Sequence, residues 1–189
     1  MRRGRDVVIA VDVSRSMLAE DIHPNRLQRA KVDLLDLLRS LEGDRAALIA
    51  FRSSASLVCP LTADMAFLRT ALDNLGLHSA PPGPTNLADA LRKAMAAFEE
   101  ESGSHKAIVL VSDGEDLEGR AVAAAEEAAA AGIPIFTVGL GSRQGARIPD
   151  MQPGSGYVSH EGKEVVTRLS DETLHAIAEK TRGAYIPIG

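Results

Sequence analysis

The sequence predicts an α/β fold: a doubly wound, mostly parallel six-stranded sheet with one antiparallel edge strand and helices on both faces. Three observations carry that prediction. Val7-Val8-Ile9-Ala10-Val11 and Ala107-Ile108-Val109-Leu110-Val111 are continuous apolar runs rich in β-branched residues, as in strands covered on both faces. Segments of helical period alternate with such runs, which implies parallel strands and right-handed crossovers. Between Arg45–Phe51 and Ala55–Pro60 only a few residues intervene, enough for a hairpin but too few for a parallel crossover, so one antiparallel strand is expected.

The first strand ends in Asp12-Val13-Ser14-Arg15-Ser16. Pro24 and Asn25 open the first helix, with Leu27, Ala30, Leu34, Leu37, Leu38 and Leu41 at helical spacing. Asn25 is placed to cap it, Gln28 to reach back, and Gly43 to end it. After the hairpin, Thr62 is expected to cap a second helix bearing Leu68, Ala71, Leu72 and Leu75, closed by Gly76. Gly76–Pro84, with three prolines and two glycines, reads as a rigid irregular loop. It delivers Thr85 to a third helix with Leu87, Leu91, Ala94, Met95 and Phe98 inward. A polar link, Glu99–Ser104, precedes the second buried strand, which ends in Ser112-Asp113-Gly114-Glu115-Asp116. Ala121–Ala131 is helical by propensity, stopped by Gly132. Ile133–Val138 is the next strand, with Pro134 tolerable near its start.

From Ser142 to Arg168 the alternation stops. Gly145, Pro149, Pro153, Gly154 and Gly156 make a loop, and Tyr157-Val158 and Val165-Val166 flank Glu161-Gly162 as a hairpin. This insertion leaves the carboxyl end of a parallel strand, on the same edge as Ser14 and Asp113, and is expected to rim any site there. Ser170 is placed to cap a last helix, with Asp171 and Glu172 at its amino end and Leu174, Ile177 and Ala178 inward. Ala184–Ile188 is a final short strand. The whole of residues 1–189 fits one domain, with 142–168 inserted in it. The basic cluster Arg2-Arg3-Gly4-Arg5 directly before the first strand suggests a domain cut from a longer protein.

Composition excludes several functions. A net charge of −5 with scattered Lys and Arg argues against nucleic acid, and 3% aromatic residues leave no stacking platform for bases. No apolar stretch approaches the ~20 residues of a membrane helix. Cys59, the single cysteine, has no partner for a disulfide and reads as a small buried hydrophobe. The histidines, His23, His78, His105, His160 and His175, show no metal-ligand spacing and are expected on the surface.

Three loops converge on the sheet edge where α/β proteins bind ligands: Asp12, Ser14 and Ser16, then Thr85, then Asp113. Oxygen donors of this kind suit a hard divalent cation. Each also has a structural reading. Asp12, Ser14 and Ser16 are ordinary turn and capping residues, Thr85 could cap the third helix, and Ser112-Asp113-Gly114 could be a plain strand-to-helix turn. Glu115 and Asp116 are expected to serve the dipole of the following helix.

Together D-V-S-R-S, G-P-T-N and V-S-D-G closely resemble the metal-ion-dependent adhesion site of von Willebrand factor type A (VWA) domains, a Rossmann-like fold, and the resemblance spans the chain. It implies that Ser14, Ser16 and Thr85 offer hydroxyls to the metal, directly or through water, while Asp12 and Asp113 hold coordinated waters. Two carboxylates then roughly neutralise a divalent ion, neutral hydroxyls leave it electrophilic, and one position stays open for an acidic group of a partner protein. Mg²⁺ is the expected ion, Mn²⁺ and Ca²⁺ the alternatives. Asn86 stands where the family often has Asp, a position outside the five ligands.

Within the family, Ser16-Met17 with Glu20-Asp21 and Asn25-Arg26-Leu27, Pro60-Leu61-Thr62, and the hairpin before R-L-S-D-E-T-L resemble the bacterial aerotolerance (Bat) proteins. That resemblance implies a non-enzymatic module in a parent protein anchored in the bacterial cytoplasmic membrane through flanking segments. Its implied partners are other Bat or VWA proteins and an ATPase of the MoxR type. Basic flanks favour the cytoplasmic side; the resemblance suggests the periplasmic side, which is the expectation adopted. The alternatives are a metal-dependent phosphoester hydrolase and a structural VWA domain with a vestigial metal site. Against the enzyme, aspartyl phosphotransferases need a second Asp where Ser14 stands, no G-x-S-x-G elbow is present, and Gly139, Gly141 and Gly145 miss the phosphate-loop spacing.

Overall fold

The computed structural model describes residues 4–98, 103–116 and 119–189. Arg2, Arg3 and most of the Glu99–Ser104 link lie outside the described residues. The main sheet is built from β1 (Arg5–Asp12), β2 (Arg45–Phe51), β3 (Ala55–Thr62), β4 (His105–Ser112), β5 (Ile135–Leu140) and β10 (Tyr185–Ile188), in the order β10-β5-β4-β1-β2-β3. The insertion contributes β6 (Ala146–Arg147), β7 (Ser159–His160), β8 (Lys163–Glu164) and β9 (Val166–Thr167), with β6 paired to β9 and β7 to β8. All main-sheet pairs are parallel except β2 with β3, as the short link between those strands demands.

The chain winds outward from β1 to β2 and β3, then returns to β4 on the other side. The carboxyl ends of β1 and β4 therefore bound the crevice at which doubly wound sheets bind ligands. Val8 to Asp12 of β1 and Ala46 to Phe51 of β2 are all buried, which accounts for their uninterrupted apolar runs. Helices α1 (Arg26–Ser40) and α2 (Met65–Asp73) cover one face through Leu27, Leu34, Leu38, Leu68 and Leu72. On the other face lie α3 (Leu87–Ala96), α4 (Ala121–Ala130) and α5 (Asp171–Lys180), packed through Leu91, Ala124, Ala128, Leu174 and Ile177. The alanines of α4 let it pack closely between α3 and α5.

Two expected caps, at Thr62 and Ser170, are corrected, and the alternative capping reading of Thr85 falls away. Thr62 does not cap α2: β3 runs on through it, because Pro60 lies on an edge strand where its missing N–H costs little. Asp64 takes the cap, accepting from the Phe67 amide at 3.0 Å. Thr85 does not cap α3 either; Asn86 does, accepting from the Asp89 amide at 3.0 Å. Ser170 stands at the amino end of α5 without a side-chain cap, its own amide donating to the Asp113 carbonyl at 2.8 Å. Asn25 caps α1 as expected, accepting from the Gln28 amide at 2.8 Å.

Strand β5 starts at Ile135, not Ile133. The Ile133 amide closes the end of α4 on the Ala128 carbonyl at 2.9 Å, and Pro134 can donate no ladder bond. The predicted hairpin forms around Glu161 and Gly162, both at positive φ (50° and 76°), with its strands beginning at Ser159. Cys59 and the five histidines are placed as expected, the first buried and the others exposed.

Candidate metal centre

Strand β1 passes through the core and releases the chain at Asp12, itself fully buried. The Val13 amide donates to the Phe51 carbonyl at 3.0 Å, so the chain leaves the sheet only at Ser14. A single 3-10 turn, Arg15–Leu18, then bends the chain so that the Ser14 and Ser16 hydroxyls lie 2.9 Å apart. Both carboxylate oxygens of Asp12 are engaged: Oδ1 accepts from the Ser14 amide at 2.8 Å, Oδ2 from the Ser112 hydroxyl at 2.7 Å. Ser112 Oγ in turn accepts from the Gly114 amide at 3.0 Å, tying the β1 and β4 loops together. Gly114 has φ of +81°, and any side chain there would collide with the Ser170 carbonyl.

Asp113, also fully buried, accepts from the Glu115 amide at 3.2 Å. The structure thus joins Asp12, Ser14 and Ser16 through hydrogen bonds, with the Asp113 carboxylate close enough to Asp12 to repel it. Thr85 is buried at the head of α3, whose loop is fixed by the Asn86 amide donating to the Arg52 carbonyl at 2.8 Å. Among the described residues, no hydrogen bond joins its hydroxyl to the other four. Nor is there, among the described residues, a cluster of three or more His, Cys, Asp or Glu able to hold a metal. The oxygen set here is of another kind, three hydroxyls with two carboxylates.

Burial raises the Asp12 carboxyl from 3.8 to about 7, and the neighbouring Asp113 adds to the rise; the bonds from Ser14 and Ser112 offset part of it. Asp113 is raised by burial as well, against the pull of Ser16 and Arg26. Two buried carboxylates that repel each other want a cation between them.

One cation is built in, and the sequence analysis missed it. The Arg26 side chain is fully buried; Nε and Nη2 donate to the two Asp21 oxygens at 2.8 and 2.7 Å, and Nη1 donates to Asp113 Oδ2 at 3.1 Å and to Thr167 Oγ1 at 3.2 Å. Gly141 makes room for it: a Cβ there would come within 2.7 Å of the guanidinium carbon. The signal was present, since Arg26 lies on the stripe of Ala30 and Leu34, where a charge has to find a buried partner. Glu115 was also misread. It does not serve a helix but accepts from Thr167 Oγ1 at 3.2 Å, with its carboxyl raised by burial and then by Asp113. Asp116 does serve helices, accepting from the Ala121 amide at 3.2 Å and the Leu87 amide at 3.5 Å. Through Thr167 the insertion reaches the site, as its place at the carboxyl edge predicts.

A doubly wound sheet whose switch point carries two carboxylates and a run of hydroxyls defines a class of α/β ligand-binding domain. The model of the von Willebrand factor type A domain matches residues 7–115, more than half of the chain, and the chain belongs to that family. VWA domains are generally non-catalytic interaction modules. BatB from Bacteroides thetaiotaomicron superposes with a TM-score of 0.93 at 34% identity, covering 98% of this chain and 90% of that one. An aerotolerance-related membrane protein from Bacteroides fragilis gives a TM-score of 0.93 at 34% identity over 98% and 92%. Among curated relatives, a UPF0353 protein of Nocardia farcinica is 29% identical over 97% of this chain and 58% of its own length. The chain spans a little over half the length of the curated relatives it matches. Proximal thread matrix protein 1 from the mussel byssus, with a zinc-occupied MIDAS motif, shares the fold at 18% identity and a TM-score of 0.72, over 98% of this chain and 41% of that one. Among the described residues no helix is long and apolar enough to cross a membrane.

Proposed function

We propose that the chain is a metal-ion-dependent protein-binding module: Asp12, Ser14, Ser16, Thr85 and Asp113 hold a divalent cation, Mg²⁺ first, and the cation captures an acidic group of a partner protein. The observation that carries this reading is the 2.9 Å approach of the Ser14 and Ser16 hydroxyls beside two buried carboxylates at the switch point of the sheet. The donor set fits a hard cation, and Arg26 compensates only one of the two carboxylates through hydrogen bonds. Thr85 fits as well, because Asn86 relieves it of capping and leaves its hydroxyl free of bonds to the other four residues. A metal bound there supplies an electrophilic centre for a partner's carboxylate. The residues' own part is to fix the hydroxyls and to hold the two carboxylates in place beside them.

A phosphoryl-accepting Asp12 is disfavoured, since both of its oxygens are committed to hydrogen bonds and its side chain is fully buried. The likeness to an aerotolerance-related membrane protein supports a parent anchored in a bacterial membrane, and the proposal places the domain on its periplasmic side. Partners among other VWA proteins and a MoxR-type ATPase, in a complex serving aerotolerance, are part of the same proposal. Calorimetric titration of the metal-stripped chain with Mg²⁺ and with Mn²⁺ tests the site. Saturable binding is expected, weakened about 10–100-fold in Asp113→Ala. Equal heats for the two proteins would contradict it.

A further inference from the structure

Beside the metal site lies an open cleft of about 560 Å³ whose lining includes Arg15, Arg52, Ser56, His78, Pro81 and Met151. Each wall comes from an element that also frames the site. Arg15 stands between Ser14 and Ser16 in the chain, and Arg52 directly follows β2, whose last residue Phe51 is in register with Asp12. The far wall is the proline-rich loop that delivers Thr85, and Met151, exposed, is contributed by the insertion.

That wall is held in place. Ser53 Oγ donates to the Pro81 and Pro82 carbonyls at 3.1 and 2.9 Å, and Arg52 Nη1 donates to the Leu77 carbonyl at 3.2 Å. The cations are less well provided for. Arg52 Nε is buried and has no hydrogen-bond partner among the described residues, a state that buried polar atoms rarely keep. Arg15 is exposed and forms no ion pair among the described residues. Burial lowers the Arg52 guanidinium below its usual value and the nearby Arg15 lowers it further, as expected where two like charges crowd together. None of the described residues lining the cleft is acidic, although the chain as a whole carries a net charge of −5.

We propose that this cleft is a second anion subsite, in which Arg15 and Arg52 take up a further carboxylate of the same acidic segment that the metal captures. The inference rests on the metal-dependent reading of the adjacent site and adds the chemistry of the partner: an extended segment bearing at least two acidic side chains, one for the metal and one for the arginines. Planar guanidinium forks suit carboxylates, and a pre-formed wall removes part of the ordering cost of binding. Met151 and the prolines offer apolar contact to the peptide between the two anchors.

The test uses fluorescein-labelled octaglutamate, with octaglutamine as control, read by fluorescence anisotropy in Mg²⁺ and in EDTA. The whole chain is compared with Arg15→Gln and with the double variant Arg15→Gln/Arg52→Gln. Octaglutamate is expected to bind in Mg²⁺, and the double variant to bind about tenfold more weakly while its Mg²⁺ affinity, freed of two nearby cations, does not fall. Arg15 is exposed, so its single variant gives a reading even if the partly buried Arg52 proves necessary for folding. Weakening by the arginine variants with no effect of EDTA on the wild type would support the subsite and overturn the metal-dependent reading. Loss in EDTA with variants indistinguishable from wild type would overturn the subsite and leave the metal reading standing. No binding of octaglutamate to the wild type in Mg²⁺ would overturn the subsite.

Discussion

At one edge of the sheet the fold treats two polar pairs in opposite ways. Asp12 and Asp113 are fully buried, and the structure meets them with hydroxyls, amides and one guanidinium. Arg15, on the loop after β1, and Arg52, directly after β2, line an open cleft, where one guanidinium nitrogen has no partner among the described residues. Leaving a buried charge uncompensated is costly, so the fold builds partners around the aspartates; an open cation can be left to water or to a ligand. The first pair is prepared to hold something from the beginning, and the second to receive something that arrives from outside.

The largest effect expected from breaking this arrangement is at Arg26. Replacing it by Met keeps the stem and removes the charge, leaving Asp21 and Asp113 without their guanidinium. Urea unfolding in EDTA should show a loss of about 3–5 kcal/mol, part of which Mg²⁺ recovers if the ion compensates Asp113. A loss under about 1 kcal/mol would mean that Arg26 is not what holds the buried carboxylates.

A smaller effect separates structure from ligation at Thr85. Thr85→Val preserves volume and removes only the hydroxyl, which caps nothing. In EDTA the variant should unfold within about 0.5 kcal/mol of wild type, since no internal hydrogen bond is lost. Its Mg²⁺ affinity, by contrast, should fall. A large loss of stability in EDTA would assign Thr85 to the framework instead.

Much of this architecture was legible from the chain alone. The apolar runs of β1 and β2 have one reading because both strands are buried on both faces, and the short link before Ala55 left only a hairpin. Asp12, Ser14, Ser16 and Asp113 were legible because each lies at the end of such a strand or in the loop just after it. What failed were choices between neighbouring residues of equal propensity. Thr62 and Asp64 can both cap, and only the length of the strand decides between them; at Thr85, where capping and ligation both stood open, backbone register gives the cap to Asn86. Arg26 and Glu115 were illegible for a different reason. Their partners Asp113 and Thr167 are remote in sequence, and a charge on an apolar stripe signals that a partner exists without saying which.

The most direct measurement of the central claim is thermal unfolding of the chelated chain, titrated with Mg²⁺ at pH 5 and at pH 8. In the fold, burial and Asp113 raise the Asp12 carboxyl from 3.8 to about 7. Between those values the folded chain keeps a proton that the unfolded chain has released, so this contribution to stability is lost as pH rises through about 7. The metal-free midpoint should therefore be lower at pH 8 than at pH 5. Mg²⁺ should raise it at pH 8, by about 2.7 kcal/mol of added stability at a hundredfold excess over Kd, and by less at pH 5, where the protonated Asp12 competes. A midpoint indifferent to Mg²⁺ at both pH values would contradict the account.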